Sequence, residues 1–329
     1  MQISLQFPKA SPCTIKSFTT PSPPPHHGDV ETPCCVSSIK IGTPWKKTMV
    51  DHGLSFARFS PAAPLSSKFR LAARVEDREI SGEIQLPDAL QAELMPKHVA
   101  VIMDGHGRWA ENRGLPIQHG HNAGLENLKQ LLLHCCKFGI GVLSVYAFST
   151  ENWKRTKEEI DFLMSGYECF IQYYVKDLIL RHDLQFSVIG DKSRLPQSIR
   201  STIASAEEAG KANSGTHFVM ALSYSGQYDI VDASKKIASQ VGSGKLRAED
   251  IDESVFEQQL LTNVTKFPNP DLLIRTSGEL RVSNFMLWQL AYAEFYFVDK
   301  LFPDFEEADF IEALSSFQQR KRRYGGRKK

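Results

Sequence analysis

From residue 95 onward, short apolar runs alternate with longer segments of helical period, and this alternation restricts the fold more than any other feature of the chain. The runs "HVAVIM" (98–103), "VLSVYAF" (142–148), "LQFSVIG" (184–190), "THFVMALSY" (216–224), "DLLIR" (271–275) and "EFYFV" (294–298) have strand length and are bounded by polar residues or glycine. Between them, 122–138, 157–181, 196–211 and 227–241 read as helices. Leu125, Leu128, Leu132 and Cys135 or Cys136 share one face of the first, and Pro196 suits the opening turn of the third. Parallel strands need crossover connections, so strands alternating with helices predict βαβ units. The expected fold is one α/β domain, with a mostly parallel sheet of about six strands flanked by helices.

The first 75 residues stand apart. They carry ten of the 17 prolines, sixteen Ser or Thr and nine Lys or Arg, against only Asp29, Glu31 and Asp51 as acids. They hold no apolar run of signal-peptide or membrane-span length. A basic, Ser-rich, acid-poor N-terminus has the composition of an organelle transit peptide, and an ordinary solvated tail is the other reading. The expected division is 1–75 as transit peptide or disordered segment, 76–94 as linker and 95–329 as the folded domain. Without the tail, 39 less nine basic and 38 less three acidic side chains leave a formal charge of −5, which argues against a nucleic-acid partner. The six cysteines form no C-x-x-C pair. Neither zinc nor a disulfide frame is indicated, and Cys135, Cys136 and Cys169 read as small buried hydrophobes.

In open α/β sheets ligands gather beyond the carboxyl ends of the strands. "DGHGRW", "STENWKR", "SYSGQYD" and "RTSGELRVSN" fall there. In the first, glycines let backbone approach a ligand and N–H groups at a helix start favour an anion, so Gly105, Gly107 and Arg108 form a phosphate seat. Asp104 would repel a bare diphosphate, but it fits if a hard divalent ion, characteristically Mg²⁺, bridges the two. An Asp N-cap before a glycine turn is the structural alternative. In the fourth, Arg275 closes a strand, with Arg281 at +6 and Ser283 at +8, giving two guanidinium forks and a hydroxyl for a second anionic group. Two anion seats on one sheet edge imply two phosphorylated substrates. Neither a Walker pattern nor a complete G-x-G-x-x-G is present, which weakens a nucleotide-binding reading.

Ser149, Asn152, Trp153 and Arg155 lie on a loop that could close over a reacting centre, while Ser149 and Thr150 could equally be helix caps. His121 is either a proton acceptor or a structural histidine. The helix at 157–181 is apolar over a wide arc, through Met164 and Tyr167 on its core stripe and Phe162 and Phe170 off it. Core packing is one account, and a channel for a hydrocarbon tail is the other.

In this order the clusters resemble the cis-prenyltransferases, the family of bacterial undecaprenyl diphosphate synthase and plant dehydrodolichyl diphosphate synthases. The resemblance spans about 95–326 and rests on "HVAVIMDGHGRW", "GHNAG", "YAFSTENWKR", "LLIRTSGELRVSNFMLWQLAYAEFYF", "LFPDF" and "KRRYGG". The trans-type D-D-x-x-D run is absent. The resemblance implies a plastid-type catalytic domain with an apolar tunnel lined by Phe162, Met164, Tyr167 and Phe170. It implies condensation of isopentenyl diphosphate onto an allylic diphosphate, whether dimethylallyl, geranyl, farnesyl or geranylgeranyl, with Mg²⁺ and formation of Z double bonds. By the same resemblance Asp104 assists the metal and Glu294 is a second carboxylate near it. Gly105, His106, Gly107, Arg108, Trp109 and Arg155 then hold the allylic diphosphate, and Arg275, Arg281, Ser283 and Gly325 hold isopentenyl diphosphate. Asn152, Ser149 and His121 serve proton removal or positioning. The R-x-G stretch Arg323-Tyr324-Gly325 would reach a partner subunit's substrate, which implies a homodimer or a heteromeric pair, and long products imply peripheral membrane contact. The implied location is the chloroplast stroma.

Three letters depart from the family pattern. His106 stands for the usual Asn of D-G-N, Ser277 for the second residue of T-G-G-E, and Leu280 for a histidine of bacterial members. A rival reading, a non-catalytic accessory or lipid-binding subunit, is opposed by the presence of Asp104, Arg108, Arg275 and Arg281 together.

Overall fold

The computed structural model describes residues 86–323, so the segment 1–75, most of the expected linker and Gly325 lie outside the described residues. All six expected strands form: β1 (His98–Ile102), β2 (Val142–Ser149), β3 (Gln185–Ile189), β4 (His217–Tyr224), β5 (Leu272–Arg275) and β6 (Glu294–Phe297). They make one wholly parallel sheet in the order β3-β4-β2-β1-β5-β6. Successive side chains of a strand face opposite ways. In β1, Val99 and Val101 therefore enter one core layer, and Ala100 and Ile102 the other. Burial on both faces is why these strands read as continuous apolar runs.

The α-helices are α1 (His106–Glu111), α2 (Ile117–Phe138), α3 (Lys157–Phe170), α4 (Lys176–Arg181), α5 (Gln197–Ala209), α6 (Gly226–Gly242), α7 (Glu253–Glu257) and α8 (Glu307–Gln318). One layer is built by Leu128 and Leu132 of α2, Leu163 and Phe170 of α3, Ile199 and Ile203 of α5, and Phe310 and Leu314 of α8. Phe285, Met286 and Leu290 anchor the opposite layer. Three departures from the sequence reading matter. The first long helix begins at Ile117 rather than 122, the expected helix 157–181 is interrupted by a π-helical turn at Ile171–Val175, and α8 was not expected. The folded body also begins before 95: Leu90 is buried, and Gln91 exchanges two hydrogen bonds with Gln318. Cys135 is buried as expected, whereas Cys169 is exposed.

The strand order locates the site. The connection from β1 leads through α2 to β2 on one side, while β5 leads to β6 on the other. The chain therefore diverges between β1 and β5, and crevices form at such switch points. Ile102 pairs with Arg275 in the register, so "DGHGRW" and "RTSGE" leave the sheet side by side.

Candidate active site

Asp104 follows β1 closely and is held first through its backbone. The Thr276 hydroxyl, just past β5, accepts its N–H at 2.9 Å and donates to its carbonyl at 2.8 Å, and the Phe302 N–H donates to the same carbonyl at 2.9 Å. Its carboxylate accepts from Arg275 Nη2 at 2.9 Å and lies 3.5 Å from Arg108 Nη2. The Arg275 side chain is only 4% exposed. Its Nη1 donates to the Arg281 carbonyl at 2.5 Å and to the Ser283 hydroxyl at 2.7 Å, which leaves Nε buried without a partner. Burial alone would raise the Asp104 pKa. The hydrogen bond and charge of Arg275, joined by Ser277 and Arg108, outweigh it and hold the carboxyl below its ordinary value. Positive φ at Ser277 (75°), Ser283 (46°), Asn284 (61°) and Met286 (43°) shows backbone strain concentrated along this loop.

The first expected seat opens at Gly105, whose φ of 105° and approach to Leu301, 2.8 Å from an added Cβ, exclude a side chain. Arg108 donates to the Ser277 hydroxyl at 2.6 Å and to its carbonyl at 3.2 Å, and lies 3.5 Å from Glu279. Arg281 is 60% exposed and pairs with the other oxygen of Glu279 at 2.5 Å. The two expected anion seats thus share one carboxylate. The "GHNAG" glycines let α1 lie on α2: a Cβ at Gly120 would sit 2.0 Å from the His106 carbonyl oxygen, and one at Gly124 2.2 Å from the His106 ring. His106 stacks on His121, with centroids 5.5 Å apart. Burial, together with the adjacent His121, lowers the His106 pKa to about 3. Burial and then Arg155 also lower His121, opposed by Glu159. His121 Nε2 lies 3.5 Å from Glu159 but finds no hydrogen-bond partner.

These groups border a cavity of about 700 Å³. Asp104, Gly105, His106, Gly107, Arg108, His121, Ser149, Asn152, Arg155, Arg275 and Ser283 all line it. Ser149 and Asn152 cap the turn Thr150–Lys154 reciprocally, so the capping alternative describes their bonds while both still face the cavity. That loop is pinned, with Trp153 Nε1 donating to the Ser223 hydroxyl at 2.9 Å.

Five expected residues fall elsewhere, and exposed Arg281, described above, is one of them. Phe162 and Tyr167 line the cavity, but Met164 and Phe170 are packed into the core beyond it. Trp109 is not at the cavity, because its Nε1 donates to Asp304 at 2.7 Å and so ties α1 to the "LFPDF" segment. Glu294 begins β6, paired with Leu272, and binds Arg320 at 2.7 Å. Asp104 leaves the opposite end of the sheet, on the order of 15 Å away along the strand axis, so these two carboxylates do not meet within the chain. Thr276, Glu279, Glu151 and Glu159 were not singled out from the sequence. The "RTSGE" string contained the first two, but only the register shows that they touch Asp104 and Arg108.

Fold and site together define an α/β protein with two arginines, Arg108 and Arg275, at its switch point, bordering a cavity whose walls are partly apolar. The family model described as "Putative undecaprenyl diphosphate synthase" matches residues 102–325. The chain is 50% identical over 279 residues to dehydrodolichyl diphosphate synthase 2 of Arabidopsis thaliana, covering 83% of this chain and 90% of that protein. It is 52% identical over 235 residues to (2Z,6Z)-farnesyl diphosphate synthase CPT6, chloroplastic, of Solanum lycopersicum, covering 71% and 81%. The crystal structure of lavandulyl diphosphate synthase from Lavandula x intermedia in complex with dimethylallyl diphosphate matches with a TM-score of 0.70 at 51% identity, covering 71% of this chain and all of that one. The chain belongs to the cis-prenyltransferases, the undecaprenyl diphosphate synthase family, and is a prenyl-transferring enzyme.

The low His106 pKa has a consequence for stability. The folded state holds the ring neutral down to about 3 whereas the unfolded chain protonates near 6.5, so its contribution is complete above 6.5 and is lost as pH falls toward 3. His106→Asn should remove about 2 kcal/mol of the stability lost between pH 7.5 and pH 5, read from urea unfolding at both values. Identical pH dependence in the two proteins would contradict a buried neutral imidazole.

Proposed function

We propose that this cis-prenyltransferase joins isopentenyl diphosphate to an allylic diphosphate primer, from dimethylallyl to geranylgeranyl, giving a Z-prenyl diphosphate, with Mg²⁺, as a homodimer in the plastid stroma. The observation that carries the reading is one volume with two chemistries. Its mouth holds Asp104, Arg108 and Arg275, and its walls include Leu128, Phe162 and Leu163. Phosphates at the mouth and hydrocarbon along the walls is the division that a prenyl diphosphate requires.

In the reaction, C4 of isopentenyl diphosphate bonds to C1 of the primer, the primer C–O bond breaks with its electron pair leaving on diphosphate, and a proton leaves C2. Arg108 and Gly105 would hold the leaving diphosphate, and Arg275 with Ser283 the nucleophilic substrate. His121, whose pKa burial and then Arg155 lower, borders the cavity and is the side chain assigned to receive that proton. Asp104 would hold the divalent ion, which when bound supplies neutralisation of diphosphate charge. Among the described residues no three His, Cys, Asp or Glu could cage a metal by themselves. That fits Mg²⁺, which takes one or two carboxylates and completes its shell with phosphate oxygens and water.

Dimerisation is supported by the path of the C-terminus. Arg320 binds Glu294 and the Phe295 carbonyl, and Arg322 lies 3.4 Å from Asp271. Arg320 and Arg322 thus sit at the amino ends of β5 and β6, opposite this chain's own site, which supports an R-x-G stretch that serves a second copy. Plastid location is supported by relatives named chloroplastic. Among the described residues no helix is long and apolar enough to cross a membrane, so membrane contact by a long product would be peripheral.

Labelled isopentenyl diphosphate, offered with each primer and followed by product sizing, tests the reading directly. Asp104→Ala should lower kcat at least ~10²-fold with the fold intact, and near-normal turnover would remove Asp104 from the mechanism. We assign the end of the hydrocarbon channel to Tyr167, which lines the cavity and whose hydroxyl donates to the Ala147 carbonyl at 2.6 Å. Tyr167→Ala should lengthen the product, and an unchanged size distribution would place the stop elsewhere.

A further inference from the structure

Ser277 adopts φ 75°, a conformation that side chains other than glycine's seldom take, and it is buried. It is fixed by its own N–H, which donates to the Lys300 carbonyl at 2.7 Å. The strain has a local return. The hydroxyl accepts from Arg108 Nη2 at 2.6 Å while the carbonyl accepts from Nη1 at 3.2 Å, so both arms of the guanidinium rest on one residue. Glycine would relieve the backbone and abolish the hydroxyl contact, leaving Arg108 the carbonyl alone.

We propose that Ser277 is a positioning residue that holds Arg108 in its diphosphate-binding pose, with backbone strain retained for the sake of the hydroxyl. This rests on the reading of Arg108 as part of the allylic diphosphate seat. Arg108 is otherwise a long side chain, 45% exposed, with only 3.5 Å contacts to Asp104 and Glu279. Without Ser277 it would sample many rotamers, and binding would have to order it.

The test is titration of the full-length enzyme with dimethylallyl diphosphate in magnesium buffer, with thermal melts alongside. Ser277→Ala and Ser277→Gly should both weaken binding roughly 5–20-fold, the loss expected for a hydrogen bond to a charged group. Ser277→Gly should melt about 2–4 °C above Ser277→Ala, because only glycine relieves the φ. In an Arg108→Ala background, Ser277→Ala should add less than about 2-fold, since its effect passes through Arg108. Affinity unchanged in Ser277→Ala, or an effect that persists without Arg108, would overturn the inference. A wild-type enzyme that does not bind dimethylallyl diphosphate, or an Arg108→Ala enzyme that binds it normally, would instead overturn the seat itself, and the inference with it.

Discussion

The contact between Arg275 and Asp104 joins the ends of β1 and β5, and the surrounding structure is arranged to sustain it. A guanidinium whose side chain is 4% exposed has lost nearly all of its water. Desolvating such an ion costs several kcal/mol, repaid only when its donors are met. The chain meets three of the five, with a carboxylate, a carbonyl and a hydroxyl, and the segment after β5 turns through positive φ at Ser277, Ser283 and Asn284 along the way. Removing Asp104 would leave a buried guanidinium without its carboxylate, at a cost of about 3–5 kcal/mol. Nε is buried without a hydrogen-bond partner.

Around that pair the charges alternate. Arg281 rests on Glu279, Glu279 and Asp104 flank Arg108, and Asp104 holds Arg275, whose other arm returns to the Arg281 carbonyl. Three guanidiniums against two carboxylates leave one net positive charge, enough to attract an anion without scattering the arginines in its absence. Donors already fixed in place need little reorganisation when charge develops on a leaving group, and this is where electrostatic catalysis gains most. The loosest link is Arg108, at 3.5 Å from both acids, and it is the one that the Ser277 hydroxyl steadies.

Much of this was legible in the sequence because strands buried on both faces announce themselves as apolar runs, and in a parallel sheet the residues after each run collect on one edge. That reasoning found Asp104, Arg108, Arg275 and Ser283 in one place. It missed α8, although Phe310, Ala313, Leu314 and Phe317 carry helical spacing, because no polar cluster drew attention to that segment. The π-helical turn at Ile171–Val175 has no signal in its letters, since the hydrogen-bond slip is decided by packing. Glu294 lies apart from Asp104 for a more instructive reason: strand direction separates the two ends of β6, and a motif held in common does not say at which end of the sheet its residues stand. Met164 and Phe170 share a helix with Phe162 and Tyr167, but which side chains meet a cavity depends on where its wall closes. His106 looked anomalous until Gly124 supplied the space for its ring.

The central claim is that two diphosphates sit side by side above β1 and β5 with their hydrocarbons sharing one cavity. The most direct measurement is a crystal structure with isopentenyl diphosphate and an unreactive allylic thiolodiphosphate bound together. The account predicts one diphosphate against Gly105 and Arg108, the other against Arg275 and Ser283, and the allylic chain running toward Phe162 and Tyr167. A diphosphate bound away from both arginines, or a hydrocarbon chain lying outside that cavity, would contradict it.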